Sequence, residues 1–123
     1  MAENKQYITQ LQENGKIMIS EDVITTIIAQ AVTEVEGFMG LCAKVGADLA
    51  EMIGVKHWGK GIKVTITDED ETIDCNVLIA YGQSVVAVAQ NLQSVITNAV
   101  ESMTGTKVAA VNVNVCGIIR QLG

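Results

Sequence analysis

Hydrophobic residues along this chain follow two rhythms that alternate. From Ser20 onward, Ile24, Ile27, Ile28, Ala31 and Val35 recur at helical spacing until Gly37, which builds one apolar helix face. Ser84 opens a second such stretch, in which Val85, Val88, Ala89, Leu92, Val95, Ile96, Ala99 and Met103 keep step before Gly105. A serine hydroxyl accepts a hydrogen bond from a first-turn amide that has no partner inside the helix. The carboxylates of Glu21 and Asp22 suit the positive end of the first helix, and glycine adopts the left-handed stop without a Cβ clash. Both helices are thus predicted together with their ends. Around them the period drops to two. Ile17 and Ile19 form one buried strand face, opened by Gly15, and Ile62, Val64 and Ile66 alternate with Lys63, Thr65 and Thr67. Ile73, Cys75, Val77, Ile79 and Tyr81 give another face, and Val111, Val113 and Val115 alternate with Asn112 and Asn114. Such alternation is the mark of a half-buried strand. The acidic stretch from Asp68 to Glu71 is read as a solvated turn joining the two middle strands of a hairpin.

The succession is β-α-β-β-α-β. Helices with one apolar stripe and strands with one apolar face must cover each other, so the expected class is α+β, a two-layer sandwich. Ferredoxin-like folds share this order, although other sheet orders can be drawn from the same elements. If the strands flanking the second helix are parallel, their crossover is expected to be right-handed. Residues 15–119 are assigned to a single domain, 1–14 to a polar leader and 120–123 to a short tail. Residues 38–61 are ambiguous: five glycines surround an amphipathic piece, Ala47 to Ile53, whose Leu49, Met52 and Ile53 could cover one edge of the core.

Composition narrows the function. A chain of 123 residues can bury a core without staples. The net charge of −6 repels phosphate backbones and anionic lipid, which makes nucleic acid a poor partner. RNA-recognition modules with the same element order stack bases on aromatic residues of the open sheet face, whereas here that face carries Lys63, Thr65, Asp74, Asn76, Asn112 and Asn114. No apolar run reaches the roughly 20 residues that span a bilayer, and no signal core opens the chain, so a cytoplasmic protein is expected. Cys42, Cys75 and Cys116 are odd in number and far apart. A disulfide framework is therefore not expected, and a reducing compartment is. Cys75 and Cys116 read as small buried residues in strands and Cys42 as an exposed thiol.

The candidate motifs for chemistry are weak. Gly54 to Gly61 approaches a phosphate-binding loop but lacks the Ser or Thr for magnesium and leads into a strand instead of a helix. His57, the sole histidine, has no identifiable partner for acid–base work. Ligands for a tetrahedral metal site are too few, and the acidic run lacks the glycine and terminal glutamate of a calcium loop. No catalytic residue, cofactor site or metal site is assigned. Trp58 is a candidate contact residue, because indoles are favoured at binding hot spots.

Seven segments in register carry a family resemblance. They are Gly15-Lys16-Ile17, Ile19-Ser20 with Val23-Ile24, Thr33-Glu34-Val35-Glu36-Gly37, Gly61-Ile62-Lys63-Val64, Ala80-Tyr81-Gly82, Val100 to Gly105, and Val111-Asn112-Val113. Together they resemble the alkaline shock, or envelope stress response, proteins of Gram-positive bacteria. The resemblance implies a small cytoplasmic α+β protein without catalysis, linked to cell-envelope homeostasis and, in some members, recruited to the membrane by an anchored protein or tied to fatty-acid metabolism. It departs from the usual pattern where Val85 and Val86 follow Ser84 in place of a proline, and in lacking long tails. The leading expectation is a non-enzymatic interaction protein, peripheral to the membrane through a protein partner and able to form homo-oligomers. Its expected contact surface is Lys63, Asp74, Asn76, Asn112 and Asn114, with Trp58. Two alternatives are a regulatory partner of a fatty-acid or lipid-synthesis enzyme and a small-molecule carrier with a pocket between 38–61 and the sheet.

Overall fold

The computed structural model describes residues 7–42, 61–67 and 70–120. In chain order these form β1 (Tyr7–Gln12), β2 (Gly15–Ser20), α1 (Glu21–Val32), β3 (Phe38–Leu41), β4 (Ile62–Thr67), β5 (Asp70–Ala80), α2 (Val85–Thr104) and β6 (Lys107–Ile119). The α+β class is the observed one. The succession β2-α1-β4-β5-α2-β6 is also as the pattern implies, with β1 and β3 added to it.

Both helix starts follow from their serines. Ser20 Oγ accepts from the Asp22 amide at 3.1 Å and Ser84 Oγ from the Ala87 amide at 3.3 Å. The stops differ. Gly105 takes the left-handed conformation, φ 76°, and its amide reaches the Glu101 carbonyl at 2.9 Å. In contrast, α1 ends at Val32, and a turn carries the chain on to Gly37. The apolar period outlives the helix because Val35, in that turn, is still buried.

β5 is the central strand. β6 runs parallel along one side of it, while on the other side β4 pairs antiparallel with Asp70–Cys75 and β3 with Val77–Ile79. Ile73, Cys75, Val77 and Ile79 are each 0% exposed. Ile24, Ile28 and Val32 of α1 and Leu92, Ile96 and Val100 of α2 are buried in the same core cluster. The ferredoxin-like arrangement would bring the first strand of the succession into this sheet. Instead, among the described residues, β2 pairs only with β1, in a separate two-stranded ribbon, and β6 takes the place beside β5.

Three expectations are corrected by the chain's packing. Residues 7–12, inside the presumed leader, form β1 and pair with β2 from Tyr7↔Ser20 to Gln12↔Gly15. Ile8 is buried at the base of this ribbon, but Ile17 is 49% exposed, so the face expected from Ile17 and Ile19 is buried only in part. The acidic turn is the third. Asp70 and Glu71 already belong to β5, and Glu71 is fully buried on its helix-facing side.

Candidate functional site

Side-chain alternation places Lys63 on β4, Asp74 and Asn76 on β5, and Asn112 and Asn114 on β6 on the sheet face away from the helices. Register then brings them together. Asp74 lies opposite Lys63 on one side and Asn112 on the other, and Asn76 lies opposite Asn114. Asn112 Nδ2 donates to Asp74 Oδ1 at 2.9 Å, and Asn114 Nδ2 donates to Asn76 Oδ1 at 3.0 Å. Two polar rungs therefore join β5 to β6 on this face. Trp58 lies outside the described residues, as do His57 and most of the 38–61 segment proposed to form a carrier pocket.

One member of the set does not offer surface. Asn76 is 1% exposed, because it sits where two strands meet. Its carbonyl accepts from the Cys42 amide and its amide donates to the Gly61 carbonyl, each at 2.9 Å. β3 thus ends and β4 begins on the same residue of β5. Gly61 is confined there, with φ 94° and the Cys42 backbone where a Cβ would go. Only glycine tolerates that combination. Asn76 ties the sheet together, and the accessible part of the polar row is Asn112 and Asn114 with half-buried Lys63 and Asp74.

The cysteines also depart from expectation. Cys42 is paired with Cys116 in a disulfide across 74 residues of sequence, Cα atoms 6.9 Å apart. Spacing along the chain concealed this, since the pair is made by register: Cys42 follows β3 opposite Asn76, and Cys116 is the extra residue of β6 between Val115 and Gly117. Cys42 is accordingly not a free exposed thiol. Cys75 is the free cysteine, and burial followed by the nearby Asp74 charge pushes its thiol up to about 12. A thiol so rarely ionised near neutral pH is a poor nucleophile.

The opposite side of the molecule carries an apolar groove that the pattern did not disclose. It measures about 600 Å³ and is lined by Met18, Val23, Thr26, Ile27 and Met103 among others. Met103 belongs to the helical stripe by spacing yet is 70% exposed. The buried row of α2 instead runs in steps of four, Val88, Leu92, Ile96 and Val100 to Thr104, and leaves Met103 at its margin. Among the described residues, no three His, Cys, Asp or Glu side chains converge to hold a metal, and no helix is long and apolar enough to cross a membrane.

A family model described as ASP23 family, cell envelope-related function, matches residues 9–120. The chain belongs to this family. It is 31% identical to YqhY of Bacillus subtilis over 104 residues, covering 85% of this chain and 77% of that one. It is 35% identical to Spy1535 of Streptococcus pyogenes over 108 residues, 87% and 81% of the two chains. YloU of B. subtilis is 28% identical over 106 residues, 85% and 88% of the two chains. All three are described as uncharacterized. A solved structure titled MamM-CTD 215-293 is similar in shape at 12% identity and a TM-score of 0.49, covering 82% of this chain and 99% of that one. The ASP23 match agrees with the alkaline shock resemblance of the seven segments, and it begins inside β1, which makes the ribbon part of the family domain.

Proposed function

We propose that this chain is a non-enzymatic interaction protein that serves the cell envelope by docking another protein on the helix-free face of its sheet. The observation that carries the reading is the pair of polar rungs. Asp74–Asn112 and Asn76–Asn114 are fixed in position before any partner arrives, so docking costs little side-chain entropy. The family's cell envelope-related function supplies the setting. With a net charge of −6 the chain should not adsorb to anionic lipid unaided. Its presence at a membrane would depend on an anchored protein partner.

Exchanging charge on the row tests this. A Lys63→Glu, Asn112→Lys double variant alters half-buried and exposed side chains and should keep the wild-type fold. Partner capture by crosslinking in the host, together with co-sedimentation with the envelope, should be lost. If the folded variant retains both, the docking face is wrongly assigned. If purified wild-type chain floats with anionic liposomes, recruitment through a protein is wrong.

A further inference from the structure

The turn from α2 into β6 encloses a carboxyl that the docking face does not use. Glu71 is 0% exposed, in register with Ile66 of β4 and Val108 of β6. Its Oε2 is in hydrogen-bond contact with the Thr106 hydroxyl, which lies 2.7 Å from the Thr104 hydroxyl. The Thr104 hydroxyl in turn lies 2.7 Å from the Val100 carbonyl. Three oxygen-to-oxygen links in series need three protons. The carbonyl supplies none and each threonine supplies one. The Thr106 amide, 3.2 Å from Thr104 Oγ1, fills a lone pair from the side and makes none of the three links.

We infer that the third proton is on Glu71: a neutral carboxylic acid donates to Thr106, which donates to Thr104, which donates to the Val100 carbonyl, and this directed chain is a latch on the α2–β6 turn that opens when the proton leaves. The other carboxyl oxygen agrees. Among the described residues Glu71 Oε1 is buried with no hydrogen-bond partner, a much smaller fault for the carbonyl of an acid than for half of a carboxylate.

The charged surroundings favour the same state. α2 presents Glu101, whose Oε2 accepts from the Val108 amide at 3.0 Å, and β5 presents Asp70. β6 presents Lys107, in register with Asp70. The described neighbours on β1 and β4, among them Thr9, Gln10, Ile66 and Thr67, carry no charge. Burial pushes the Glu71 carboxyl above its ordinary range, Thr106 opposes this, and Glu101 and Asp70 add to the rise. Once ionised, Glu71 can only accept. Thr106 must then turn its proton to Glu71, and the single proton of Thr104 cannot serve both Thr106 and Val100. One link is lost beside a buried anion. The β1–β2 ribbon shares the consequence, because Gln10 Nε2 donates to the Thr104 carbonyl at 2.8 Å.

The sign is fixed by linkage. A folded-state value raised above the unfolded one means that the native chain holds a proton the unfolded chain has released. Stability is then full below the ordinary carboxyl value and declines as pH rises toward the folded one. The test is urea unfolding across pH for wild type and for Glu71→Gln, whose amide N–H takes the place of the acid O–H. Relative to that variant, the wild-type unfolding constant should rise by about tenfold per pH unit through the window and then level off. Superimposable pH profiles would overturn the inference. On the unaltered chain, carbon-13 NMR of the glutamate carboxyls should show Glu71 titrating above the exposed glutamates. Titration in their range overturns it even if Glu71→Gln does not fold.

Discussion

The β1–β2 ribbon and the β5–β6 pair are both sheet, yet they are held in different ways. β5 presents four consecutive inward side chains with no exposure, is flanked on both sides, and lies under two helices. Among the described residues the ribbon has no third strand. Ile8 is 2% exposed at its base, while Tyr7, Leu11, Ile17 and Met18 are 46%, 83%, 49% and 49% exposed. A two-stranded hairpin is marginal on its own in water. Ile8, partly buried Ile19 and the Gln10 bond to Thr104 therefore have to anchor it. Backbone pairing alone does not mark the stable part of this molecule; burial on the helix-facing side does.

Breaking the buried side should have the largest effect. Leu92 is 0% exposed and Ile27 8%, one from each helix, both in a single core. Replacing either by Asp strands a carboxyl in that core, and Leu92→Asp is expected to cost about 4 kcal/mol or more by urea unfolding, Ile27→Asp somewhat less. Wild-type midpoints for both variants would sink the assignment of the helix faces.

Trimming one methyl-rich side chain in each region sharpens the contrast. Ile79→Ala on β5 should cost about 3 kcal/mol and lower amide protection through the whole sheet. Ile8→Ala should cost about 2 kcal/mol, with lost protection confined to β1, β2 and the α2–β6 turn. A uniform loss of protection in Ile8→Ala would mean that the ribbon is part of the cooperative core.

These two regions were not equally legible in the sequence. The extent of α2 could be read because its apolar steps, its serine start and its glycine stop all agree, although the stripe also took in exposed Met103, and removing one of those signals, as in Ser84→Ala, is expected to cost about 1 kcal/mol in thermal or urea unfolding. β5 could be read because Ile73, Cys75, Val77 and Ile79 alternate without a break. β1 could not, because among Tyr7, Ile8, Thr9, Gln10 and Leu11 only Ile8 is buried, so no alternation survives. The polar row was legible as a face. What covers Asn76 was not, since alternation tells which side a residue is on and not where two strands abut. Glu71 was misread for a related reason. A carboxyl in an acidic run looks solvated, and its hydrogen-bond partner, Thr106, lies over thirty residues away.

The smallest expected effect is at the ribbon's tip. Leu11 is 83% exposed and pairs across the ribbon with Lys16 near the turn. Burial is what makes a leucine stabilising, so Leu11→Ser should leave the urea midpoint within about 0.5 kcal/mol of wild type. Its value lies in what it separates. If the tip is only the end of a hairpin anchored at Ile8, the substitution changes neither stability nor amide protection in β1 and β2. A loss comparable with that of Ile8→Ala would show that Leu11 is covered in solution, and the anchoring by the base alone would then be wrong.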